Sequence, residues 1–276
     1  MYPVLFKLGK FQVHSYGLLL AISFLLGILW AMKRAEKRGI SKDHVISAGL
    51  FIMISAILGS RFFYVITHLN EFRGRWLDTV NPFQRSGEIG IAGLSMLGGV
   101  VMALLTIIIF FSIKKISILR FFDAAAPSLA LGLALTRIGC FLNGCCFGKP
   151  GSLPWCVVFP NNSPAADFLP GQRLHPTQIY SSLFDFLILG AILWVDRKKR
   201  PDGVLAAVFF ILYGTFRFLI DFVRFYESTV QFHIFGVAVT FNQLIAMMMM
   251  GTGLVMLWAI QGRRKGGVKL TKPHLK

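Results

Sequence analysis

Residues 121–148 read FFDAAAPSLALGLALTRIGCFLNGCCFG. From 121 to 141 the stretch is predominantly apolar for about the 20 residues that a helix needs to cross the hydrocarbon core of a bilayer. Arg137 stands near the end of that run, and Gly139, Cys140, Asn143, Gly144, Cys145 and Cys146 follow at once. The pattern predicts a membrane helix whose end is loosened where a fixed positive charge sits. A cation inside an apolar run costs a few kcal/mol or more unless it is paired or hydrated.

Working outward, six further runs of similar character lie at 13–32, 45–68, 89–113, 176–195, 204–223 and 236–260. The composition agrees: 55% of residues are hydrophobic, 15% are charged and the mean hydropathy is +0.65. An ordinary soluble domain carries about 25% charged residues. The expected fold is therefore an all-α integral membrane protein of about seven transmembrane helices, a single polytopic domain over 1–276. Disorder and a disulfide scaffold are excluded, because 27 Phe supply a large apolar mass and four Cys are too few to staple 276 residues. The first run follows Lys7 and Lys10 like a secretory signal, but it is too long and lacks a small-residue cleavage pattern. It reads as a retained span.

The chain carries 29 Lys and Arg against 12 Asp and Glu, a formal charge of +17. Summed over alternate loops, eighteen basic residues fall on one side, including Arg197 to Arg200 and the tail at 261–276. Eight fall on the other, and Arg61, Arg137 and Arg217 lie within or at the ends of spans. The richer side stays in the cytoplasm, which places the N-terminus outside, the C-terminus inside and the loop 142–175 on the extracytoplasmic face. The basic blocks are short, abut membrane helices and have no nucleic-acid-binding module beside them, so no nucleic-acid partner is expected.

The residues with chemical potential gather at that outer face. Arg137 presents a planar fork suited to phosphate oxygens, although an Arg at a span end also serves as an ordinary headgroup anchor. Tyr213, Arg217, Asp221 and Arg224 are spaced by four, four and three residues, one stripe of a helix on which Arg217 and Asp221 can pair. That stripe suits either a site or a structural ion pair. His14 and Tyr16 open the first span, His175 precedes the fifth, and Gly98 and Gly99 begin the third. Cys140, Cys145, Cys146 and Cys156 also cluster here, but adjacent Cys145 and Cys146 fit metal-ligand spacing poorly and His175 is the only nearby imidazole in sequence. No metal and no cofactor are expected.

Taken in order, His14 to Gly17, Gly59 to Tyr64 with Arg61, Gly98-Gly99, Arg137 to Gly148, Arg173 to Tyr180, Tyr213 to Arg224 and Gln243 resemble the bacterial prolipoprotein diacylglyceryl transferase family over nearly the whole chain. The resemblance implies a multi-pass enzyme of the inner membrane with its site toward the periplasmic leaflet. Such an enzyme transfers the diacylglyceryl group of phosphatidylglycerol to the lipobox cysteine of a prolipoprotein signal peptide, forming a thioether and releasing glycerol phosphate. By position it implies phospholipid binding by Arg137, with Asn143 and Gly148 in the same signature. Tyr16, Tyr213 and Arg217 correspond to cavity residues, and Arg61, Gly98 and Gly99 to further substrate contacts. The pattern departs from the family at Leu97, where many members have a His, and at Cys140 and Cys145, where many have Asn and Glu. The candidates for base or thiol polariser are then His14, Tyr16, His175 and Asp221, and the alternative is that the basic site lowers the thiol pKa electrostatically, with proton loss to water. The alternatives are a transporter or channel for an anionic solute, which intramembrane charges would also suit, and a catalytically altered paralogue.

Overall fold

The computed structural model of the chain describes residues 2–8, 11–72, 74, 79, 93, 95–226, 231–234 and 237–267. It divides into two compact units, Met32–Phe121 and the pair of segments Met1–Ala31 and Phe122–Lys276. A first hairpin, β1 (Val4–Leu8) and β2 (Phe11–His14), leads into α1 (Ser15–Glu36).

The unit Met32–Phe121 is built on α2 (Lys42–Thr67) and α4 (Met96–Ile113), with the short α3 (Leu69–Phe72) between them. Ser41 caps α2 by accepting the His44 N–H at 3.3 Å. The third apolar run is helix from Met96, and its first residues, 89–92, lie outside the described residues. Gly93 sits at φ +69°, in the left-handed region that ends regular helix, and Ser95 then caps α4. Gly98 and Gly99 seat α4 directly on α2, since a Cβ at either would come within 2.4 Å of Gly59 O or Ser60 Oγ. Small residues at a helix crossing allow this approach where lipid supplies no hydrophobic drive.

The other unit holds the end of α5 (Ile118–Asn143), then α7 (Thr177–Asp196), α8 (Val204–Ile220) and α9 (Phe241–Gly267). Ala126 and Ala130 of α5, Ile188 and Ile192 of α7, and Leu205 and Phe209 of α8 form its core. Asp123 of α5 is fully buried and caps α8 from outside: its carboxylate accepts the Gly203 and Ala206 N–H groups at 2.8 and 2.9 Å. Those are among the orphan donors that every helix N-terminus must satisfy, and the carboxylate also meets the positive end of the helix dipole.

The loop after α5 is ordered around its own apolar cluster of Phe147, Phe159, Ala165 and Leu174. It carries β3 (Val157–Val158), α6 (Pro164–Phe168) and β4 (Arg173–Leu174), with β3 antiparallel to β4. The sixth run stops being helix at 220, not 223, because the chain turns there to pair with this loop: Lys149 N–H donates to Val223 O at 2.8 Å and Gly148 bridges Arg224. The last run becomes helix at 241 because its first residues form β6 (Val237–Thr240), antiparallel to β5 (Gln231–Ile234).

Among the described residues, five helices, α1, α2, α5, α7 and the Phe241–Gly262 part of α9, are long and apolar enough to cross a membrane, and two shorter apolar helices, Leu97–Ile113 and Val204–Ile220, accompany them. Large apolar side chains such as Leu25, Phe62, Leu187, Trp194 and Trp258 are exposed along these helices. That is the surface of a multi-pass membrane protein, whose outer faces meet lipid.

Candidate functional site

The end of α5 and the turn after it place the candidate residues. Gly144 takes φ +74° and Cys146 φ +62°, so the chain leaves the helix, reverses, and brings Cys145 and Cys146 back over Cys140. The Sγ atoms of Cys140, Cys145 and Cys146 all lie within 4.8 Å of one another, and all four cysteines of the chain are free thiols. A non-glycine residue in the left-handed region costs on the order of 1 kcal/mol. The α7 N-terminus holds it there: Thr177 Oγ1 donates to Cys146 O and Gln178 Nε2 to Cys145 O, both at 2.8 Å. Hydrogen bonds from the Cys140 and Cys145 thiols, then the charges of Arg224 and Arg137, pull the Cys146 thiol below its ordinary value.

Arg137 projects from α5 one turn before Cys140. Its electrostatic neighbours are Tyr213 of α8, Cys140, Cys146 and Asp185 of α7. Arg137 is partly buried and its guanidinium makes no hydrogen bond to any described residue, whereas a cation within an apolar run ordinarily has such partners. Tyr16 of α1 belongs to the same group, in electrostatic contact with the three thiols and with Arg137 while partly open to the outside. Asp185 is buried, with Oδ1 unpartnered. Sequence reading passed over it, although a carboxylate between Phe184 and Phe186 in an apolar run was the signal.

Arg217 and Asp221 do pair, and both are tied into a wider network. Arg217 bonds Asp221 Oδ1 through Nη1 and Tyr226 OH through Nη2, the latter at 2.8 Å. Tyr226 OH donates to Asp221 Oδ1 at 2.8 Å and Thr240 Oγ1 to Asp221 Oδ2 at 2.5 Å, so both carboxylate oxygens are used and the side chain has no exposure. Thr240 and Gln243 then satisfy each other across the start of α9: Gln243 N–H donates to Thr240 Oγ1 and Thr240 N–H to Gln243 Oε1. This is a reciprocal capping box, legible in the spacing Thr240-x-x-Gln243. Burial raises the Tyr226 phenol, with Arg224 and Arg217 opposing. Tyr213 stacks on Phe209 with ring centroids 5.4 Å apart, which fixes its position on α8 beside Arg137 and Arg217.

The remaining candidates divide. Gly148 belongs to the site's wall: its N–H donates to His175 O at 2.9 Å, and a Cβ there would meet the His175 Cβ at 2.6 Å. His175 is half-buried with Nδ1 3.2 Å from Tyr180 OH. Asn143 ends α5, immediately before the turn that carries Cys145 and Cys146. His14 ends β2 and is exposed. In the other unit, Arg61 spends its donors on backbone, with Nε to Thr79 O at 2.7 Å and Nη1 to Gly93 O at 3.2 Å, and lies over the Tyr64 and Phe72 rings. A cavity of about 500 Å³ lined by Lys198, Lys199, Arg200, Val204 and Leu257 sits at the opposite end of α8 from Arg217, about 20 Å along the helix, and has none of these groups.

Residues 3–259 match the family model described as prolipoprotein diacylglyceryl transferase. Among similar proteins, the phosphatidylglycerol–prolipoprotein diacylglyceryl transferase of Clostridium tetani is 35% identical over 81% of this chain and 86% of its own length. The protein of that name from Pseudoalteromonas translucida is 34% identical over 97% and 96%, and that of Aliivibrio salmonicida 32% over 94% and 88%. With the match running from the first hairpin to α9, this chain belongs to the prolipoprotein diacylglyceryl transferase family.

Proposed function

We propose that this chain transfers the diacylglyceryl group of phosphatidylglycerol to the lipobox cysteine thiol of a prolipoprotein signal peptide, forming a thioether and releasing glycerol phosphate. The observation that carries the reading, beside family membership, is the unengaged guanidinium of Arg137. Arg61 and Arg217 have committed their donors within the chain, while Arg137 keeps its fork for an oxyanion.

The phosphodiester sits on Arg137, flanked by Tyr213 and Tyr16, with Asp185 balancing the guanidinium charge when no phosphate is bound. The substrate sulfur attacks the glyceryl carbon as the carbon–oxygen bond breaks, and the electron pair leaves on the phosphate oxygen. Arg137 stabilises the charge that grows there, a term for which one well-placed donor is worth about 10²–10³ in rate. Arg217 acts as a fixed charge that orders the C-terminal end of α8 under Tyr213. Both Asp221 oxygens are already hydrogen-bonded, so a free thiol of pKa about 8.5 loses its proton to His175, His14 or water, with the Tyr16 hydroxyl placed to polarise the sulfur.

The same reading places the protein in a bacterial inner membrane with seven crossings, the N-terminus outside, the C-terminus inside and the site toward the periplasmic leaflet. The positive-inside count supports it, as does the length of the two shorter apolar helices, about 26 Å at 1.5 Å per residue. The decisive experiment presents purified protein in detergent with labelled phosphatidylglycerol and a lipobox peptide. Label on the peptide cysteine is the expected product, and its absence with folded protein overturns the assignment. An epitope inserted after Asn162 should be reached by antibody from the periplasmic side only.

A further inference from the structure

Three thiols of one short segment converge without forming a disulfide. The linear spacing of Cys140, Cys145 and Cys146 argued against ligation, because neighbouring cysteines on extended chain point apart. The turn through Gly144 and Cys146 removes that objection: both residues take positive φ, and the three sulfurs close to within 4.8 Å of one another. Zinc holds thiolate sulfur at about 2.3 Å in a tetrahedron, which sets neighbouring sulfurs about 3.8 Å apart. Closing the cluster onto an ion therefore needs movement of about an ångström or less in flexible side chains.

The surroundings suit such a site. The carbonyls of Cys145 and Cys146 are held by Gln178 and Thr177, so the turn is braced before any ion arrives. Three thiolates with one divalent cation carry a net charge of −1, and Arg137 and Arg224 both lie in electrostatic reach of Cys146. Cys140 is buried while Cys145 and Cys146 are only half-buried, which leaves one side of the cluster open. Structural zinc sites are closed by four protein ligands, whereas sites with three protein ligands keep a position for an exogenous one.

We propose that Cys140, Cys145 and Cys146 together hold one zinc ion, and that its fourth position takes the thiol that becomes alkylated. The first half is independent of the transferase reading; the second rests on it. The substrate thiol gives its proton to water and its sulfur to the ion, so it is held as thiolate near neutral pH. A sulfur lone pair forms the bond to the glyceryl carbon, the carbon–oxygen pair leaves on the phosphate held by Arg137, and the ion keeps its charge and its three protein ligands throughout.

The test uses the full chain purified in detergent. Metal analysis is expected to find one zinc per protein. After chelation, a cobalt(II) titration should saturate at one equivalent with a thiolate-to-cobalt charge-transfer band. Cys145→Ser should weaken cobalt binding by more than the 10–100-fold that loss of an outer partner costs, while Cys156→Ser leaves it intact. Adding a lipobox peptide should shift the cobalt spectrum, and the same peptide with Ser for its Cys should not. No stoichiometric metal and no charge-transfer band in the unmutated chain overturns the site, as does a disulfide among the three cysteines. A cobalt spectrum indifferent to the peptide thiol overturns the fourth-ligand role. An intact cobalt site in a chain that modifies no peptide instead overturns the transferase reading and leaves the metal site standing.

Discussion

Arg137 and Arg217 are both guanidinium groups carried near the ends of apolar helices, and the fold treats them in opposite ways. Around Arg217 it assembles a carboxylate, a phenol and a threonine, contributed by α8, the turn after it and β6, so that both terminal guanidinium nitrogens donate to an acceptor and both Asp221 oxygens are used. Around Arg137 it sets thiols, two tyrosines and a distant carboxylate, and gives the guanidinium no hydrogen bond among the described residues. The first arrangement recovers the cost of a buried charge inside the protein. The second leaves that cost to be met by a ligand, and a helix pays it only where the ligand matters.

The largest effect that can break this contrast is at Arg137. Arg137→Ala should lower the rate of diacylglyceryl transfer by at least about 10²-fold with little change in unfolding. Arg137→Lys should recover only part of it, because an ammonium offers a point charge and no fork. Equal activity in purified Arg137→Ala would show that the free guanidinium is an interfacial anchor. Arg217→Ala should act the other way round. Leaving Asp221 buried and uncompensated costs about 3–5 kcal/mol, read as unfolding at a lower SDS fraction in mixed micelles, and activity should fall in step with folded protein. Arg217→Ala that unfolds normally yet is inactive would make Arg217 a ligand of the substrate and dissolve the distinction.

Much of this was legible in the sequence, for reasons that differ along the chain. The five long apolar helices and the two shorter ones follow from apolar runs of near-bilayer length, since in lipid the backbone must satisfy itself within the segment. The helix ends do not follow from hydropathy. Phe222 and Val223 are apolar enough to continue α8, yet the backbone there turns away to bond with Lys149 and Gly148. The stripe from Tyr213 to Asp221 was visible in its spacing, but Tyr226 and Thr240 were not, because they reach Asp221 through a turn and a strand. The thiol cluster was hidden for a similar reason. Its geometry depends on a cysteine at positive φ, which no spacing rule anticipates.

Two smaller perturbations sharpen where the fold, as opposed to the site, is held. Asp123→Ala removes the two acceptors at the α8 N-terminus, 80 or more residues away in sequence. It should cost about 1–3 kcal/mol, the range for leaving buried donors unpaired, with transfer by the remaining folded protein unchanged. Gln243→Ala opens one side of the capping box on α9 and should cost about 1 kcal/mol. A loss as large as that of Arg217→Ala would mean that Gln243 anchors the Asp221 network and does more than cap a helix.

The smallest expected effect is at His14. Its sequence position beside Tyr16 suggests a proton acceptor, but it ends β2 with its side chain exposed and without a hydrogen bond to any described residue, whereas Tyr16 faces the thiols and Arg137. An exposed residue clear of caps and networks changes stability by about 0.5 kcal/mol or less on substitution. His14→Ala should therefore unfold normally and keep its rate within about twofold, since a general base contributes about 10²–10⁴ and its loss could not pass unnoticed. Tyr16→Phe, which keeps the ring and removes only the hydroxyl, gives the contrasting measurement. If His14→Ala loses about 10²-fold while Tyr16→Phe does not, proton removal lies at the mouth of the first span and the free charge of Arg137 serves binding alone. If the order is reversed, binding and thiol activation share the pocket at the end of α5.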